Sequence, residues 1–266
     1  MMALREIKES PHDTAWGWEE MERLLTIVDS LPDLVSLPIE SGSIFQVDAQ
    51  IENYDPPADQ VIFLVGVARD HLDAFRSMLV KPNGGLPAMA GYTLLRATIE
   101  AASTAIWLRC SNKANTRVMR SLWMIVHSRD DVAGLAAKLQ IENTAGYERM
   151  KARVDGIISG RKGLLASSLS RRYTKTDMIN EADKHVPRRK LSCLEAWQAC
   201  SGITHSNRNS VLMLLEREAL ETVGTRTTFS MTASALVTAE VLSIAVACLT
   251  TASEIFVTHS TASPRR

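Results

Sequence analysis

Apolar side chains recur at intervals of three and four along most of the chain, the spacing of one buried helix face. The first stripe is Met21, Leu24, Leu25, Val28 and Leu31. Asp13 or Thr14 can cap this helix, and Pro32 stops it. Residues 32–58 carry Pro32, Pro38, Pro56 and Pro57 and read as irregular, with one short extended piece near Ile44–Ile51. A second helix is predicted from Asp59 to Leu79, with Val61, Leu64, Val65, Ala68, Leu72 and Phe75 inward. Pro82 to Gly85 reads as a turn. A third helix, from Pro87 to Cys110, turns Leu95, Ile99, Ala102, Ile106 and Trp107 inward.

A fourth helix starts near Asn115 and either breaks at Asp130 or runs on to Leu139. A fifth carries Tyr147, Met150, Val154, Ile157 and Ile158. Gly160 to Ser170, rich in glycine and serine, reads as a flexible connection. Further helices are predicted over Thr176–Lys184, Arg188–Thr204, Ser210–Leu220 and Ser230–His259. The expected fold is an all-α multi-helix bundle at 59–259, with an N-terminal helix and irregular segment at 1–58 packed on it and a disordered tail at 260–266. Strand signal is almost nil, and the second and third helices should form an antiparallel hairpin.

Composition agrees with a globular chain: 45% of the 266 residues are hydrophobic and 23% charged. A chain of this length buries enough surface to fold without disulfides or metals. Net charge is zero, but it is unevenly spread. Residues 1–73 hold fifteen acidic and four basic side chains, a net of −11; residues 149–190 hold twelve basic and four acidic, a net of +8. The basic tract could attract a polyanion, or the two regions could dock on each other.

Cys110, Cys193, Cys200 and Cys248 form no CxxC and no zinc-spaced cluster, so reduced thiols in a reducing compartment are expected. The first 25 residues lack a continuous apolar stretch, and the longest uncharged run near the C-terminus, Val241 to Ser253, is short for a membrane span. A cytoplasmic protein with no membrane partner, no cofactor and no metal is the expectation. GxxxxGK[ST], GxGxxG, GxSxG and HExxH are all absent.

Three constellations could carry chemistry. Arg96 and Glu100 share a helix face at i, i+4. They are either an ion pair that fixes packing or an anion-stabilising arginine held by its carboxylate. Ser201 and His205 are also at i, i+4. The hydroxyl could orient an imidazole for acid–base work, or the histidine could be a capping residue at a helix junction. Gly202 beside them suggests close packing, and Ser206 or Asn207 could cap the next helix. The third is the tract of Arg161, Lys162, Arg171, Arg172, Lys175, Arg188, Arg189 and Lys190. It could contact RNA phosphates by charge, or form a solvated or internally paired face. Only Tyr173 lies among these residues, so base stacking is not indicated. Trp107, Trp123 and Trp197 could line a small-molecule pocket, although tryptophans at helical spacing more commonly fill a core.

The run LLRATIEAASTAIWL, followed by AWQACSGITHS about a hundred residues later, resembles a group of uncharacterised bacterial helical proteins. These pair an LLRxxxE-type helix with a later SGxxH-type helix. Their layout is similar to HEPN-type helical domains, many of which cleave RNA or serve in toxin and phage-defence systems. The resemblance covers residues 60–220 and implies a HEPN-like bundle, with homodimerisation plausible on the same ground. The chain departs from the HEPN ribonuclease pattern, because Gln198, Ala199 and Cys200 stand where an arginine should precede His205. Arg120 and His127 fit the arginine–histidine spacing, as do Arg5 and His12 by chance. Two readings therefore stand. One is a non-catalytic interaction or regulatory module with an unknown protein partner. The other is a metal-independent ribonuclease in which His205, oriented by Ser201, transfers protons while Arg96, held by Glu100, stabilises the anionic transition state.

Overall fold

A computed structural model describes residues 6–51, 55–79, 86–141, 144–224 and 226–262. Among them, eleven helices and one two-stranded hairpin make a mostly α-helical fold. The turn expected at Pro82–Gly85 lies outside the described residues.

Helix α1, Pro11–Ser30, begins a turn earlier than expected. Ser10 caps it, its hydroxyl accepting from the Asp13 N–H at 3.1 Å. Proline at the first helical position needs no N–H partner, so Ser10-Pro11 is a better start than Asp13 or Thr14. The irregular segment holds a 3₁₀ turn at Leu34–Ser36 and then α2, Ile44–Ala49, in place of the expected extended piece. Ser43 caps α2 through the Gln46 N–H, and the Gln46 side chain returns to accept from the Gly42 N–H. The helical turn puts Phe45 and Asp48 on one buried face; an extended chain would bring them to opposite faces.

Helices α3, Pro57–Leu79, and α4, Ala90–Arg109, form the antiparallel hairpin read from the sequence. Gly91 lies against Phe75, and Thr98 donates to the Ala68 carbonyl. Helix α5, Ala114–Lys138, runs unbroken past Asp130, and α6, Thr144–Gly160, folds back beside it. Val118, Leu122 and Ile125 of α5 meet Met150, Val154 and Ile158 of α6 in a small core of their own. The connection Gly160 to Ser170 contains a single turn of helix, α7, Ser167–Ser170. Two short helices follow, α8, Lys175–Ala182, and α9, Cys193–Thr204, each opened by a capping box (Thr174/Asp177 and Ser192/Glu195).

The C-terminal third departs most from expectation. Helix α10 covers only Arg208–Leu214. Strands β1, Leu215–Val223, and β2, Arg226–Ala233, then pair antiparallel where helix had been expected on both sides. Thr222, Val223, Thr227, Thr228 and Phe229 are better suited to a pleated ribbon than to a helix, and Gly224 takes the positive φ of the turn. Ile7 adds a bridge to Arg217 at the edge of the hairpin.

Helix α11, Ala235–Ser260, follows. It is the one helix among the described residues long and apolar enough to cross a membrane, and 72% of its apolar window is buried inside the fold. It is the core helix, packed against α1, α3, α4 and α9. Order continues beyond the expected end at 259: Ser260 is buried and Ala262 bridges to Ser43. Residues 263–266 of the expected tail lie outside the described residues.

Candidate functional site

The two motif helices are neighbours. Helix α9 packs across α4, and the Thr93 and Thr204 hydroxyls lie 3.4 Å apart at their junction. Arg96 and Glu100 form an ion pair at 3.5 Å on α4. Glu100 is then taken up from two further sides. The Trp197 indole donates to it at 3.2 Å from α9, and the Lys175 ammonium lies 3.5 Å away at the start of α8. The Arg96 guanidinium covers the Trp197 ring with its carbon 5.1 Å from the centroid. These four groups tie three helices together. Arg96 keeps a buried Nε with no partner.

His205 sits at the C-terminal cap of α9, its backbone N–H donating to the Ser201 carbonyl at 3.0 Å, and its side chain is exposed. No hydrogen bond joins the Ser201 hydroxyl to the imidazole, or the imidazole to Arg96, among the described residues. Asn207 caps α10, as one of the two candidates expected. Gly202 is required by close approach: a Cβ there would fall 2.6 Å from the Cβ of Ser210.

The other arginine–histidine spacing is split. Arg120 donates to the Trp107 carbonyl and to Cys110 Sγ. His127 bonds the Leu169 carbonyl at 3.2 Å and stacks on Trp123. Arg5 lies outside the described residues. Trp107 and Trp123 pack with Tyr173 in an aromatic cluster, while Trp197 belongs to the Arg96 staple, so the three tryptophans do not share a pocket wall.

The basic tract divides into two groups. Arg161 donates to Asn115 at 2.7 Å at the start of α5, with exposed Lys162 beside it. Arg171 covers Tyr173, next to exposed Arg172. Arg189 and Lys190, in contrast, share a cleft with Asp13 and Glu20 of α1 and Glu240 of α11, and Lys190 pairs with Glu240. Glu20 is held below the ordinary carboxylate range, first by Arg23 and also by the nearby Arg189. Part of the acidic N-terminal region thus lies against part of the basic tract, with Arg188 on the same loop.

Two features were not legible in the sequence. Asp48 is fully buried and accepts from Arg109 at 2.7 Å and from Arg117 at 2.8 and 3.1 Å. Cys110, Glu181 and His185 bring three potential ligand atoms within 4.8 Å of one another. A guanidinium already serves that cluster: Arg120 lies 3.3 Å from the Cys110 sulfur and 3.8 Å from Glu181, while Lys184 pairs with Glu181 at 2.6 Å. Arg120 and Lys184 thus set positive charge beside Cys110 and Glu181.

Comparison of the chain with protein-family models, curated proteins and solved structures finds no match.

Proposed function

We propose that this protein is a non-catalytic helical interaction module that associates with a second copy of itself through α5. The observation that carries the reading is the apolar stripe on the distal half of that helix. Val132, Leu135 and Leu139 follow one another at helical spacing, with Ile141 just beyond, and they are 46–60% exposed. The stripe runs into a cleft of about 600 Å³ that includes Phe63, Leu64, Met124 and Ile125. Scattered apolar side chains need no explanation, but a contiguous stripe marks an interaction surface. The occupant is argued from charge. Asp131 and Lys138, both exposed, lie on either side of Leu135. An antiparallel pair of α5 helices crossing near Leu135 sets the Asp131 of each copy beside the Lys138 of the other, as an isologous contact requires. Sedimentation equilibrium of the wild type and of the Leu135→Asp/Leu139→Asp variant tests this.

The same reading is favoured at the motif helices, where Glu100 and Arg96 are consumed by packing. The ribonuclease reading keeps one supporting observation: Thr93 and Thr204, close in the chain to Arg96 and His205, touch at the α4–α9 junction. RNA cleavage in EDTA by the wild type, Arg96→Ala and His205→Ala, with folding checked, separates the two.

A further inference from the structure

Cys193 opens α9, Cys248 lies midway along α11, and both are buried. Their sulfur atoms are 3.4 Å apart. Roughly 1.4 Å of approach would bring them to the disulfide bond length of about 2.0 Å. Two other groups touch the pair. The Ser103 hydroxyl lies 3.8 Å from the Cys248 sulfur, and Asp183 accepts from the Cys193 N–H at 2.8 Å. The hydrogen bond with Cys248, with burial added, pushes the Cys193 thiol up.

Both thiols are buried, but a surface cleft reaches Cys193. Cys193 lines a cleft of about 380 Å³ bounded by Asn180, Lys184, Arg188 and Ile244. Ile244 lies one turn before Cys248 on α11. Cys200 is buried two turns further along α9 and lines no part of it.

We propose that Cys193 and Cys248 are a site of reversible oxidation, closed to a disulfide by hydrogen peroxide entering through this cleft. The Cys193 sulfur attacks one peroxide oxygen as the thiol gives up its proton. The O–O bond breaks, an S–OH bond forms, and the departing hydroxide takes up the proton that Cys193 released, leaving as water. Cys248 then attacks the Cys193 sulfur. The S–S bond forms, the S–O bond breaks, and the second hydroxide leaves as water with the Cys248 proton. Two thiols are oxidised and one peroxide is reduced to two waters. The bond would fasten the first turn of α9 to the middle of the core helix. The proposal is independent of self-association.

The test treats reduced full-length protein with hydrogen peroxide, then alkylates remaining thiols in denaturant and maps them by mass spectrometry. The expected product joins the Cys193 and Cys248 peptides with the loss of two hydrogens, leaves Cys200 alkylated, and reverts with dithiothreitol. The same cross-link should form in Cys110→Ser, which lacks the one half-exposed thiol. Cys193 and Cys248 both alkylated after treatment, or linked to any other cysteine, would overturn it.

Discussion

Arg109 Nη2 donates to Asp48 at 2.7 Å, and neither residue has more than 1% of its side chain exposed. Arg117 reaches the same carboxylate, so one buried anion serves two buried cations and joins α2, α4 and α5. Burial pulls the Arg109 guanidinium down to about 10 even though Asp48 opposes the shift. Asp48→Ala would leave both cations uncompensated and should cost about 3–5 kcal/mol, the usual scale for breaking a buried pair. Urea denaturation measures this directly.

His259 stands beside the same cluster, 3.4 Å from Arg109 Nε. Burial first, and then Arg109 and Arg117, hold its pKa down at about 4. The unfolded chain protonates near the ordinary value of about 6.5, while the folded chain refuses the proton until about pH 4. The unfolded state therefore binds more protons in this window, and stability falls as pH drops through it. Urea midpoints at pH 7.5, 6 and 5 should decline, and His259→Gln should flatten that decline.

Gly17 allows α1 to lie directly on the start of α11. A Cβ at this position would come within 2.5 Å of the Ala235 carbonyl carbon, which is backbone and cannot swing away. Gly17→Ala should lower stability by about 1–3 kcal/mol, the scale of overpacking, despite alanine's better helix propensity. A lower thermal midpoint by circular dichroism is the expected readout.

The Arg96 staple and His205 should respond differently. Glu100→Gln weakens contacts to Arg96 and Lys175 and should cost about 0.5–1.5 kcal/mol. His205→Ala, at an exposed cap, should stay within about 0.5 kcal/mol of wild type. Chemical denaturation of both variants checks the difference.

The helices with continuous apolar stripes were legible because periodicity reports burial. Val61 to Phe75 and Leu95 to Trp107 needed no tertiary information. The α2 segment and the β-hairpin were missed for a local reason. Helix α2 is six residues long, too short to show a repeat, and the ribbon of exposed threonines buries little, so both apolar patterns are weak. At the site, the Arg96–Glu100 spacing was readable from one helix. The Trp197 and Lys175 contacts that saturate Glu100 come from other helices and left no mark in it. Asp48 offered one clue, a lone acid between Phe45 and Ile51, but its partners lie far along the chain. Cys193 and Cys248 are in the same position: spacing along α9 could exclude Cys200 as a partner but could not find Cys248.

Self-association through α5 is tested most directly by sedimentation equilibrium over a range of concentrations. The wild type should show a reversible dimer. Leu135→Asp/Leu139→Asp, with unchanged circular dichroism, should be a monomer at the same concentrations. A wild type that is monomeric throughout, or a folded double variant that dimerises as well as the wild type, would contradict the account.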